Sequence, residues 1–175
     1  ALIAADRHQL EQREEALRAV AESLLQQSAS KSYPVPTIRF IEGSKIESFL
    51  KQETPKWLRA LENLPEPVWV GFQDSTFASM HQKWIDWQWK IAPKSVSLNM
   101  LTNQSDIEKR LAGKYPKRSM RYAKNLGGFT ASTWIVEEFV VVINTRIKPY
   151  YAYEIHDALL ADNMRKLFKE LWDKS

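Results

Sequence analysis

The chain contains no cysteine. That absence removes disulfide scaffolds, thiol nucleophiles and cysteine-ligated zinc or iron–sulfur centres together, and it fits a reducing, cytoplasmic setting. Glycine and proline are scarce, 5 and 8 of 175 residues, so collagen-like and low-complexity architectures are excluded. No run of about 18 apolar residues free of charge occurs, so no membrane span is expected. No basic-then-apolar leader opens the chain, so secretion is not expected either. Histidine is limited to His8, His81 and His156, with no His-x-x-x-His or His-Glu-x-x-His spacing and no companion carboxylate cluster. No metal site and no cofactor is therefore expected. Neither a Gly-x-Ser-x-Gly elbow nor a glycine-rich phosphate loop is present, which argues against a nucleophilic hydrolase or a nucleotide enzyme.

What is present is enough for one sizeable core: 44% hydrophobic and 26% charged residues. The net charge of +4 is local. Residues 101–128 carry seven basic and two acidic side chains, and the remainder of the chain nets −1. Lys109, Arg110, Lys114, Lys117, Arg118, Arg121 and Lys124 form this segment, with only Tyr115 and Tyr122 as aromatic company, which is thin for direct nucleic-acid binding.

Residues 1–30 read as a helix set apart from the body, which runs from 34 to 175. Ile3, Leu10, Leu17 and Leu24 recur every seven residues, and Val20 joins them on a second, poorer seam. An amphipathic helix lying on its own domain would show a similar stripe. So narrow a stripe covers little core, which favours a short, weak coiled coil with these five residues as the candidate dimerisation contacts of a homodimer. Ser28–Pro36 is a Ser/Pro-rich joint. Strands are expected at 37–41, 67–72, 95–101, 118–123, 130–136, 139–144 and 150–155. Helices are expected at 44–52, with Ser44 and Glu47 as a capping box, at 56–64, 76–91 and 105–115, and at 157–172. Helix–strand units followed by a run of strands and a closing helix make an α/β sandwich on a mixed sheet.

The helix over 76–91 is unusual. Phe77, Met80, Trp84, Trp87 and Ile91 form one stripe, with His81, Ile85 and Trp89 beside it. Core packing is the default explanation for such a helix. Its apolar arc is wider than one interface needs, so Trp84, Trp87 and Trp89 are also candidate ligand-stacking residues. Arg118 and Arg121 flank a strand start and fall on opposite faces. One of them should turn inward and need an anion, so both are candidates for an anionic effector. His81-Gln-Lys83 matches the opening of a phospholipase D signature, but the required Asp five residues after the Lys is Gln88, and Asp86 is two short. His81 and Lys83 are therefore read as ordinary helix residues.

Pro36-Thr-Ile-Arg-Phe-Ile-Glu-Gly43 resembles the P-x-I-x-F/Y-x-E-G strand of TrmB-like transcriptional regulators in their compact bacterial form. Ile155, Ala161, Arg165, Phe168 and Trp172 resemble that family's closing helix, and Arg118 and Arg121 its R-x-x-R run. The resemblance covers nearly all of 34–173. It implies a phospholipase D-like fold, a coiled-coil linker helix that dimerises, and DNA contact through an N-terminal winged helix-turn-helix that these residues do not include. It also implies a C-terminal domain that senses an effector rather than hydrolysing a substrate. The three-Trp helix is no hallmark of that family, and the sugar sensing of its larger archaeal members is not carried over. The expected protein is thus the non-catalytic effector and dimerisation portion of such a regulator. The rivals are a degenerate phospholipase D-type phosphodiesterase or nuclease using His81 and Lys83, and a protein-interaction adaptor using the Trp helix.

Overall fold

The computed structural model describes residues 35–122 and 128–175. The first strand, β1 (Thr37–Glu42), leads through a 3₁₀ turn into helix α1 (Ile46–Glu62). Then come β2 (Val68–Gln73), α2 (Ser75–Met80), α3 (Gln82–Ile91), β3 (Ser97–Thr102), α4 (Asp106–Ala112) and β4 (Arg118–Tyr122). The chain ends with β5 (Ser132–Val136), β6 (Phe139–Asn144), β7 (Tyr151–His156) and α5 (Ala158–Asp173).

All seven expected strands form, and they join one mixed sheet in the order β1-β7-β6-β5-β2-β3-β4. The β2–β3 and β3–β4 pairs are parallel, which requires the helical crossovers between them. The pairs β2–β5, β5–β6, β6–β7 and β7–β1 are antiparallel. The two stretches that carry the family resemblance are neighbours, with Ile38 opposite Ile155 across the β1–β7 pair.

Side-chain alternation along the strands sets up two cores. Trp69, Met100, Trp134, Val141 and Ile143 point to one face and pack under residues of α1 to α4. Val70, Leu101, Ile135 and Val140 point to the other, where Ala161 and Phe168 of α5 cover them. In the first core Trp57, Trp69 and Trp134 are at most 1% exposed, each burial contributing roughly 4–6 kcal/mol of transfer free energy. Their rings meet edge to face, Trp57–Trp69 at 5.7 Å and Trp69–Trp134 at 5.4 Å. Gly71 lies opposite Trp134 in the β2–β5 pair. A Cβ there would lie 2.9 Å from Trp134 Cα and inside the Thr133 carbonyl oxygen, so no other residue fits.

Three details differ from the sequence reading. The segments 44–52 and 56–64 are one helix that runs through Pro55. Ile46, Phe49, Leu50, Trp57, Leu58 and Leu61 form an unbroken buried stripe, and that packing outweighs one missing backbone hydrogen bond. The capping box does not form, because Gly43–Lys45 is taken up by the 3₁₀ turn and Lys45 occupies the cap position without a side-chain bond. The expected helix 76–91 is two helices broken at His81 (φ −117°, ψ 27°). The break lets Phe77 and Trp84 both reach Trp134, at 4.8 and 5.4 Å between rings.

Candidate functional site

The carboxyl ends of β2, β3 and β6 lie on the same edge of the sheet as the amino end of β5, and polar side chains gather there. Parallel strands present such ends to ligands because the chain leaves the sheet there and opens a crevice. Asp74 follows β2 directly and caps α2, accepting from the Thr76 backbone N–H at 3.3 Å and the Thr76 hydroxyl at 2.8 Å. Its own backbone N–H donates to Ser132 Oγ at 3.2 Å. Asn103, just past β3, donates to Asp74 Oδ1 at 3.2 Å and to the Phe129 carbonyl at 2.7 Å.

Arg146 closes the cluster. Its Nε donates to Asp74 Oδ2 at 2.8 Å and its Nη2 to Oδ1, a two-pronged clamp on the carboxylate. The loop that carries it is built by Asn144, which donates to the carbonyls of Ile147 and Pro149 and accepts from the backbone N–H groups of Arg146 and Ile147. Thr145 shares a 2.8 Å hydroxyl–hydroxyl bond with Thr76.

The Asp74 side chain is fully buried whereas Arg146 remains 39% exposed. Burial alone raises the Asp74 carboxyl, but the Arg146 clamp and the Thr76 bonds together outweigh it and hold the group below its ordinary 3.8. Arg146 is correspondingly raised, mainly by its bonds to Asp74. This carboxylate is ionised with its acceptor positions taken, which fits it to position an arginine rather than to take a proton.

Outward from the pair lies an open groove of about 550 Å³. Hydroxyls of Ser75, Thr76, Ser79, Ser105, Thr145 and Tyr150 line it, with Arg110 and Arg146 as its cations and Asp106 as its acid. No His, Cys or Lys is among the lining residues. The arrangement presents hydroxyl and guanidinium donors at its surface.

None of the candidate ligand-binding residues Trp84, Trp87, Trp89, Arg118 and Arg121 lines this groove, although Met80 and Arg110 do. Trp84 is 4% exposed, stacks on Trp134 at 8° between planes and donates its N–H to Thr54 Oγ1 at 3.2 Å. It has no face left for a ligand ring, which corrects the stacking expectation for that residue. Trp87 is half-buried against the margin of the core, and Trp89 stacks on Tyr115 at 5.4 Å.

Arg118 does turn inward, as the alternation requires, but its anion comes from within. Glu108 Oε2 accepts at 2.9 Å, with both side chains at 2% exposure or less. Arg121 faces outward over the Trp172 ring, 4.2 Å from its centroid, and also donates to the Trp172 carbonyl. Among the described residues the basic side chains are therefore dispersed, with Lys114 bound to Asp86 at 2.7 Å.

The structure brings Trp84, Trp89 and Arg118 together only around a small internal void. Ile3, Leu10, Leu17, Val20 and Leu24 lie outside the described residues. His81 packs on Phe77 at 4.9 Å between rings, and burial holds its imidazole below the ordinary value despite the opposing pull of Glu47. Lys83 is exposed.

Asp74, Asn103, Asn144, Thr145 and Arg146 were missed by sequence reasoning. The available signal was positional: each stands at or just beyond the carboxyl end of an apolar strand.

No protein-family model and no curated protein sequence matches the chain. Among solved structures, NucT from Helicobacter pylori is similar with a TM-score of 0.52 at 9% identity, over 79% of this chain and 97% of that one. TrmBL2, an archaeal chromatin protein whose structure shows a novel mode of DNA binding, is similar with a TM-score of 0.46 at 18% identity, over 98% of this chain. The match covers 66% of the TrmBL2 chain. At 9% identity the likeness to NucT is one of fold. Among the described residues no helix is long and apolar enough to cross a membrane.

Proposed function

We propose that the chain is the regulatory portion of a TrmB-like transcription regulator: a non-catalytic domain with a phospholipase D-like core that binds an anionic effector and works as a homodimer in the cytoplasm. Residues 1–30 are then the pairing helix, with Ile3, Leu10, Leu17, Val20 and Leu24 on its seam, and 34–175 the sensing domain. DNA contact falls to a winged-helix segment outside these 175 residues.

The observation that carries the reading is the groove beside the Asp74–Arg146 pair. Its hydroxyls and two arginines outnumber its one acid, Asp106, and the buried Asp74 behind it is committed to Arg146. The motifs at 36–43 and 155–172, adjacent across the β1–β7 pair, support the family assignment. An effector that binds two forms of the dimer unequally would shift their populations, which is all that regulation at a distance requires.

Calorimetric titration with inorganic pyrophosphate tests the binding half of this reading. Saturable uptake that weakens in Arg110→Met supports it, and no heat in wild type sinks it. An assay with a generic phosphodiester tests the other half. Turnover by wild type that disappears in His81→Ala would replace this reading with a phosphodiesterase. Light scattering tests the dimer, which a concentration-independent monomer mass would contradict.

A further inference from the structure

Four buried N–H donors find no acceptor among the described residues: the indole nitrogens of Trp69, Trp89 and Trp134 and one guanidinium nitrogen of Arg118. They come from β2, α3, β5 and β4, yet all four side chains line one internal void between α3 and the sheet. The void leaves about 10 Å³ for the centre of a water-sized sphere, which is the room a single water molecule needs.

The neighbouring indoles behave differently. Trp57 donates to Glu154 at 2.9 Å and Trp84 to Thr54 at 3.2 Å. The protein therefore supplies its own acceptors to those two core indoles and none to the three unpartnered ones that border this void. Buried donors without partners are rare in native folds and are commonly served by internal water.

We propose that this void is a built-in hydration site, in which one water accepts from these donors and ties α3 to β2, β4 and β5. The occupant is neutral rather than a halide. Arg118 is already matched by Glu108 at 2.9 Å, with side-chain exposures of 2% and 0%, so an anion would add unmatched charge to a buried site. Water also brings two hydrogens that need acceptors. Gln73 and Gln88 border the same void. Gln73 spends its amide nitrogen on Glu108 at 2.6 Å, which leaves its carbonyl oxygen to accept. A water accepts two hydrogen bonds at once, so the donors share it in turn.

The test is water-to-indole magnetisation transfer in the full chain, read at the indole N–H resonances. Trp57 serves as the internal control, because its N–H is bonded to Glu154 and its side chain does not line the void. Resonances are assigned through single Trp→Phe variants, or through bonds in wild type where a variant does not fold. The expected result is a cross-peak to water, with the sign of a long-lived contact, at two or more of Trp69, Trp89 and Trp134, and none at Trp57. Cross-peaks at fewer than two of the three, or an equal peak at Trp57, overturn the proposal. Saturable shifts of these same resonances on adding sodium bromide overturn it as well, because the site would then be an anion site.

Discussion

Replacing Arg118 by methionine tests whether this arginine is structural or available to a ligand. The substitution keeps most of the side-chain volume and removes the charge. Glu108 then stays in a fully buried position with its Oε2 stripped of a partner, while Oε1 keeps the Gln73 amide at 2.6 Å. Breaking a buried pair by removing one partner costs about 3–5 kcal/mol, because the remaining charge is uncompensated.

Removing both charges in Arg118→Met/Glu108→Met leaves no buried ion at this position. The double variant forfeits only the Gln73 bond, a desolvation loss of about 1–3 kcal/mol. The double variant should therefore be more stable than Arg118→Met alone, a non-additivity that pairs in direct contact show. Urea unfolding followed by tryptophan fluorescence reads both quantities. With a slope near 2 kcal/mol per molar, the midpoint of Arg118→Met should fall by roughly 1.5–2.5 M. A fall under about 0.25 M, which corresponds to the roughly 0.5 kcal/mol usual for a surface substitution, would refute the buried-pair account. So would a double variant that loses the sum of the two single losses.

Other perturbations follow from the same geometry. Gly71→Ala forces a methyl group against the Thr133 carbonyl and should cost at least 1–3 kcal/mol of overpacking, about, seen as a lowered Tm by calorimetry; an unchanged Tm would mean that β2 and β5 can separate freely there. His81 has its folded pKa held below the ordinary 6.5 by burial. Its contribution to stability is therefore complete above that value and drains away as pH falls through the folded pKa. Urea midpoints between pH 7.5 and 5 should fall in wild type and flatten in His81→Gln; parallel curves would refute the assignment. Asp74 has its folded pKa below 3.8, so its contribution is present above 3.8 and is lost on further acidification. Asp74→Asn should be less stable than wild type at pH 6 and should converge with it near pH 2. A constant gap across that range would show that the carboxylate charge is not what binds Arg146.

The parts of this fold that could be read from the chain are those written in local periodicity. Strands β5 and β6 were legible because β-branched runs flank Glu137-Glu138, and Glu137 adopts the positive φ of 52° that a tight hairpin needs. Helix α5 was legible because its apolar residues recur at helical spacing. The break at His81 was not legible, since the stripe through Phe77 and Trp84 is equally periodic on either side of it. Only the position of Trp134, brought in from β5, decides where the two rings must go. The candidate site was hidden for the same reason. Asp74 and Arg146 are 72 residues apart, and the strands they follow, β2 and β6, are separated in the sheet by β5. Alternation foretold that one of Arg118 and Arg121 would be buried, yet periodicity could not say that Glu108 supplies the anion. The aromatic helix misled in one respect: its rings are abundant because a Trp-lined sheet face lies beneath them, which removes Trp84 from the surface.

The central claim is that the groove beside Asp74 and Arg146 is a binding site for an anionic effector and not a reaction centre. Its most direct test is a titration of the isotope-labelled chain with inorganic pyrophosphate, followed by amide resonances. The account predicts saturable shifts concentrated at Ser75, Thr76, Ser105, Thr145 and Arg146, reduced in Arg110→Met, with the pyrophosphate recovered intact. Shifts confined to other surfaces, or none at millimolar concentration, would contradict it.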